Sequence, residues 1–192
     1  MRKTWMVLAA ASLALFSSPG ASRAEGELPI AYQVPLLMKL VTYEFNLMGK
    51  TKPTITIGVL YRPEDSGSLK CFETFEALFE QRRDLEIRGH PLQLVGIPVR
   101  SEGSLRLPPG HPDIDILYVA PGNEDRITAI SRWTREMKSL SVTGSEASVE
   151  QGLSVALINR GAKEGITINL PASIEEGREW NVNVLQVARV IR

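Results

Sequence analysis

The reactive side chains in this 192-residue chain are few: one cysteine and two histidines. His90 and His111 each stand directly before proline, in expected turns. The segment His111-Pro112-Asp113-Ile114-Asp115 has the residue types of a cation site. However, Asp113 and Asp115 share one face of an expected strand, His111 falls in a proline-rich loop, and no further His or Cys lies near in sequence. We read it as a solvated loop leading into a strand and expect no metal. There is no Gly-x-Ser-x-Gly elbow, no phosphate-binding Gly-x-x-x-x-Gly-Lys loop, no His-Glu-x-x-His and no Cys-x-x-Cys. No nucleophile and base can be paired, so neither an enzyme nor a cofactor is expected. Cys71 cannot form an internal disulfide. With Phe72, Phe75, Leu78 and Phe79 it reads as part of a helix face turned to a core, the alternative being a disulfide between chains.

What remains is binding. In a sheet with helices on both faces, ligands sit beyond the carboxyl ends of the strands. Three loops qualify: Tyr61 to Gly67, Pro121 to Asn123, and Thr143 to Glu146. Within them Tyr61, Arg62, Ser66, Asn123, Thr143 and Ser145 are the candidate ligand contacts, with Arg62 as the charge partner of an anion. Backbone amides after Asn123 and Ser145 would open helices, whose N-termini favour negative charge. Simple capping by Asn and Ser is the alternative. Trp133 and Trp180 are candidates for partner contact, because aromatics are enriched at interface hot spots; ordinary core positions are the competing reading. Glu175, Glu176, Arg178 and Glu179 read as a solvated face.

These residues need a scaffold. Leu36, Leu37, Leu40, Val41, Phe45 and Met48 fall at helical spacing, predicting a helix over 28–48 that stops at Gly49 and Pro53. Thr54 to Tyr61 is β-branched and apolar, the signature of a buried strand. Leu69 to Arg83 is a helix, Pro91 to Val99 a strand, Ser101 to Pro112 a loop, and Ile114 to Ala120 a third strand. Asn123 caps a helix running to about Lys138. Leu140 to Thr143 is a short strand, followed by a brief helix near Glu150. Leu153 to Asn159 and Gly165 to Leu170 are strands at hairpin spacing. The tail reads as two short helices broken near Trp180-Asn181, the second extending to Ile191. Strands alternating with helices imply an α/β three-layer α/β/α sandwich, its sheet mostly parallel, with an antiparallel hairpin near the C-terminus.

The N-terminus gives the compartment. Arg2 and Lys3 precede an uncharged apolar run from Trp5 to Phe16, and Ser22-Arg23-Ala24 places small residues at −3 and −1 of a signal peptidase site. A run of about a dozen residues is short of the roughly 20 a membrane span needs. Cleavage after Ala24 would leave residues 25–192 as one exported domain, with the periplasm as the expected compartment. Basic residues then fall from 22 to 19 while all 22 acidic residues stay, so the net charge moves from 0 to −3. A weakly acidic chain without a basic block is a poor nucleic-acid ligand.

The ordered set of segments resembles the YfiR-like family of periplasmic proteins across residues 30–191. Leu37 to Tyr43 resembles the family's LxKFxxYxxWP entrance, Ile55 to Leu60 its first strand, and Ile114 to Val119 its central ILY strand. Leu140 to Glu146 is similar to an LTVxDxE turn, Gly152 to Ile158 to the strand after it, Ile166 to Ala172 to an FEINLxAA element, and Val184 to Val190 to a closing LLxLARV helix. Asn46-Leu47-Met48 stands where Trp-Pro is usual, Gly144 where aspartate is, and one cysteine where several occur. The resemblance therefore does not carry over intramolecular redox switching or the family's contact residues. It does imply a regulator that binds the periplasmic domain of an inner-membrane diguanylate cyclase or sensor kinase and holds it inactive. The homodimer question stays open. The competing expectation is a small-ligand (anion) binder feeding a sensor or transporter.

Overall fold

The computed structural model describes residues 28–47, 53–100, 113–161 and 163–192. The expected signal segment and the whole proline-rich loop from Ser101 to Pro112, with His111, lie outside these residues. Eight strands form one sheet: β1 (Ile55–Tyr61), β2 (Glu86–Ile87), β3 (His90–Pro98), β4 (Ile116–Val119), β5 (Leu140–Thr143), β6 (Val155–Arg160), β7 (Lys163–Asn169) and β8 (Arg189–Ile191). Their order is β2-β3-β1-β4-β5-β6-β7-β8. The run β3-β1-β4-β5-β6 is parallel throughout, with Ile57 opposite Leu94 on one side and Ile116 on the other. The β6–β7 hairpin is antiparallel, with pairs from Val155–Ile168 to Arg160–Lys163. The helices are α1 (Ile30–Val41), α2 (Ser66–Gln81), α3 (Ile127–Met137), α4 (Glu146–Glu150), α5 (Leu170–Glu175) and α6 (Val182–Val187).

Alternation along the central strands separates two cores, as the pleat requires. Ile57, Val59, Ile116, Tyr118, Leu140, Val142, Val155 and Leu157 face Leu37, Leu40 and Val41 of α1 and Cys71 and Phe75 of α2. Leu60, Leu117, Val119 and Ala156 face Ile127 and Ile130 of α3 and Val149 of α4. The three layers of the α/β sandwich follow directly. No helix among the described residues is long and apolar enough to cross a membrane.

Four local expectations are corrected. Helix α1 ends at Val41 rather than Met48, because Glu44 pairs in an isolated bridge with Trp180 and draws the chain back to the tail. His90, expected in a turn, is the first residue of β3; the turn lies just before it, where Arg88-Gly89 joins β2 to β3 with φ of 52° and 81°. Positive φ at both central positions is the type I′ geometry that suits a hairpin. Asn123 does not cap α3: a 3-10 turn over Glu124–Arg126 comes first, and the Asn123 amide instead donates to Ala120 O at 2.9 Å. The last helix stops at Val187. Ala188 turns extended, and Arg189–Ile191 pairs in parallel with Thr167–Asn169 as β8.

Candidate functional site

The sheet reverses its winding between β1 and β4, since β1 leads outward to β3 on one side and β4 to β5 on the other. Such a switch point opens a crevice at the carboxyl ends of the strands. Tyr61, Arg62, Ser66 and Asn123 all come to this end. Tyr61 closes β1 and stacks on Phe72, with ring centroids 4.3 Å apart and planes 6° from parallel. Burial, aided by Glu76, raises its phenol above the ordinary value. The Arg62 amide donates to Ser68 Oγ at 2.9 Å, and its guanidinium bonds Asp125. That bond raises the arginine and lowers the aspartate. Asp65 caps α2 by accepting from the Ser68 amide at 2.7 Å. Gly122, at φ 82°, passes so close to Asp65 that a Cβ there would lie 3.0 Å from its carboxyl carbon. Ser66 is exposed in the first turn of α2 and Asn123 is buried.

One strand further along, Thr143 ends β5 and Ser145 lies just past it. Ser145 caps α4 by accepting from the Ser148 amide, and its own amide donates to the Thr143 hydroxyl, both at 3.3 Å. A cavity of about 390 Å³ opens at the switch-point end between α1 and α2, lined by Ile30, Lys70, Cys71, Thr74 and Pro121 among others. Cys71 is buried. No group of three or more His, Cys, Asp and Glu suited to a metal occurs among the described residues. Asp115, from the segment that sequence offered as a cation site, is buried and accepts from the Thr56 amide at 3.0 Å.

The opposite end of the sheet holds a polar cluster that sequence reasoning missed. Glu176 and Arg178 are 0% and 3% exposed, so they do not belong to a solvated face; Glu175 and Glu179 do. The reason is a Schellman closure of α5: the Gly177 amide donates to Ile174 O, the Arg178 amide to Ser173 O, and Gly177 takes φ 77°. Glu176 thereby turns inward and accepts from Thr134 Oγ1 at 2.6 Å, Ser141 Oγ at 2.7 Å, Ser141 N at 2.9 Å and Ser154 Oγ at 2.5 Å. Burial outweighs these four bonds and raises its carboxyl above the ordinary value. The Arg178 guanidinium donates to Lys138 O, and its Nη1 faces Glu44 at 3.9 Å. Burial lowers it, while Glu44, Glu176 and Asp115 oppose that shift. Glu44 is itself fully buried and accepts from the amides of Asn46, Leu47 and Glu179. Gly177 was the available signal, a helix-ending glycine that fixes which way its neighbours face.

The two tryptophans are not equivalent surface anchors. Trp180 is 6% exposed and belongs to the α1/α2 core, which corrects its reading as a partner contact. Trp133 is half-buried against the α3/α4 core.

A family model described as YfiR/HmsC-like matches residues 44–189. The chain belongs to the YfiR/HmsC-like family. The match starts at Glu44, so α1, with the residues resembling the family's entrance helix, precedes it. Among solved structures, a conserved domain protein from Vibrio cholerae is similar at TM-score 0.57 and 14% identity, over 85% of this chain and 60% of that one. An ABC domain from Streptococcus pneumonia, in complex with L-Trp, is similar at TM-score 0.54 and 16% identity, over 80% and 60%. A ligand-free, open substrate-binding protein with adhesive properties from Clostridium difficile gives 0.52 and 15%, over 72% and 54%. This chain thus spans little more than half the length of these structures, and the likeness is one of fold. No curated protein matches the chain.

Proposed function

We propose that this YfiR/HmsC-like protein is a non-enzymatic periplasmic regulator. It binds the outer domain of an inner-membrane signalling protein, a diguanylate cyclase in the first instance, and holds it inactive. The supporting observation is the state of the switch point, where a doubly wound sheet would take a substrate. There Arg62 is engaged by Asp125, the first turn of α2 by Asp65, and the Asn123 amide by Ala120 O. One guanidinium nitrogen of Arg62, the Ser68 amide and the Asn123 side-chain amide thus already have internal partners, which supports the outer surface as the functional part. Control then works by occupancy: the regulator binds one state of its target better than the other and shifts the equilibrium accordingly.

The test uses the mature chain, residues 25–192, tagged at its C-terminus and incubated with solubilised inner membranes. Recovery of a cyclase or sensor kinase is expected, together with raised cyclic-di-GMP on deletion of the gene. Unchanged cyclic-di-GMP and no recovered signalling protein would defeat the reading.

One observation favours a second reading, a small-ligand binder feeding a sensor or transporter. The solved neighbours include a substrate-binding protein and a domain holding L-Trp, and a cavity of about 390 Å³ lies at the same end of this sheet. A ligand present at a hundred times its Kd would add about 2.7 kcal/mol of stability. A thermal-shift screen of anions and amino acids therefore separates the two readings.

A further inference from the structure

We infer that the partner docks in the groove between α1 and α6, presenting there an apolar anchor flanked by a carboxylate. This rests on the regulator reading and names the surface that carries it. The groove encloses about 250 Å³ between Leu36, Leu40 and Tyr43 on one side and Val184 and Val187 on the other, with Ile166 of β7 also in its lining. That volume suits one or two side chains, the scale of a hot-spot anchor. Val187 is 76% exposed and Val182 62%, so a helix of six residues leaves two large apolar side chains in water. Apolar residues clustered beside an apolar groove mark a surface that is covered in use.

Charge selects the occupant. Lys39 is the single charged residue among those lining the groove. Its ammonium makes no ion pair among the described residues, whereas Arg62, Arg135, Arg160 and Arg189 each meet a carboxylate. Neither α1 nor α6 contains Asp or Glu. An isologous dimer must reuse the same patch on both subunits, so helices α1 and α6 of a second copy would bring no carboxylate to Lys39. A protein segment with an apolar side chain next to Asp or Glu satisfies both the groove and the lysine.

The test places a photo-crosslinking phenylalanine analogue at position 187 of the full chain in cells, with position 174 as control. Ile174 is 61% exposed and does not line the groove. A crosslink from 187 to a membrane protein bearing a cyclase or kinase domain, absent from 174, is expected. Val187→Glu and Lys39→Glu should each raise cyclic-di-GMP at least halfway to the deletion level, Lys39→Arg should not, and all three proteins should melt within about 2 °C of wild type. A crosslink from 187 only to another copy of this chain or only to lipid overturns the inference. So does normal repression by Val187→Glu and Lys39→Glu in a strain whose deletion does raise cyclic-di-GMP. If the deletion itself leaves cyclic-di-GMP unchanged and no position crosslinks a signalling protein, the regulator reading falls, and this inference with it.

Discussion

Glu176→Ala should destabilise the protein by about 3–5 kcal/mol, and the figure can be built bond by bond. The Ser141 amide is fixed by β5 and fully buried, so it cannot turn to another acceptor; an orphaned buried donor costs about 1–3 kcal/mol. The hydroxyls of Ser141 and Ser154 each lose a charged acceptor, worth roughly 1 kcal/mol apiece after they rotate. Thr134 keeps Ser131 O at 3.1 Å and adds little. Arg178 loses one of the charges that offset its burial. Glu176→Gln keeps an acceptor in the site and removes the cost of ionising a buried acid, so it should be milder. The pH dependence has a definite sign. Burial raises the folded carboxyl above the usual 4.5, so the folded state binds this proton more tightly than the unfolded chain does. Stability from this group is therefore greatest below that value, declines as pH climbs through the folded value, and is level above it. Glu176→Gln lacks that decline, and its stability relative to wild type should improve as pH rises. Urea unfolding followed by circular dichroism measures both effects; with a slope near 2 kcal/mol per molar, the alanine variant should lose about 2 M in midpoint. A loss below about 0.5 M, or a Gln-to-wild-type difference that is flat from pH 4.5 to 8, would refute this account of the site.

Tyr118→Phe should cost about 1–3 kcal/mol, because the phenol donates to Gln33 Oε1 at 2.7 Å and both residues are fully buried; thermal unfolding should report a drop of several degrees. Gly96→Ala should cost a similar amount by overpacking, since the new Cβ would stand 2.6 Å from the Phe72 ring that stacks on Tyr61. Near-ultraviolet circular dichroism should show the loosened aromatic pair. Asp125→Asn should release the Arg62 guanidinium, so that sulfate raises the melting temperature of the variant more than that of wild type. An equal response in both proteins would count against the engaged switch point.

The central strands were legible because both their faces are buried. Ile55 to Tyr61 and Ile116 to Val119 have no polar face to maintain, so an unbroken apolar run was enough to place them. Helix α2 was equally open to reading, with Cys71 and Phe75 one turn apart on its inner face. The edges were not legible, because pairing across space decides them. Arg189-Val190-Ile191 continues an apolar helical pattern in sequence, yet β7 captures it as a strand. Glu86-Ile87 forms a strand only because Arg88-Gly89 adopts the hairpin turn, and arginine at positive φ gives no sequence signal. At the site, the loops past β1 and β4 were located correctly from topology. Their condition was not, since Asp125 as the partner of Arg62 comes from 63 residues away. Glu176 and Arg178 read as surface because charge ordinarily means surface; only the serines and threonine of β5, α3 and the β6 approach make burial tolerable.

The buried cluster and the exposed groove are linked through the tail. Glu44 accepts from the Glu179 amide at 2.8 Å, Phe45 N donates to Glu179 O at 2.9 Å, and Asn181 N donates to Tyr43 O at 2.9 Å. These bonds lay the chain from Glu179 to Asn181 against the end of α1, and Asn181 then caps α6 through the Asn183 amide. Helix α6 has only six residues, too few to be stable alone. Its position beside α1, and so the groove itself, depends on that clamp and on Glu176 holding the end of α5 beneath β5. A change that loosens the buried charges should therefore weaken partner capture without touching the surface. Val187→Glu should do the reverse, abolishing capture while leaving the fold as stable as before.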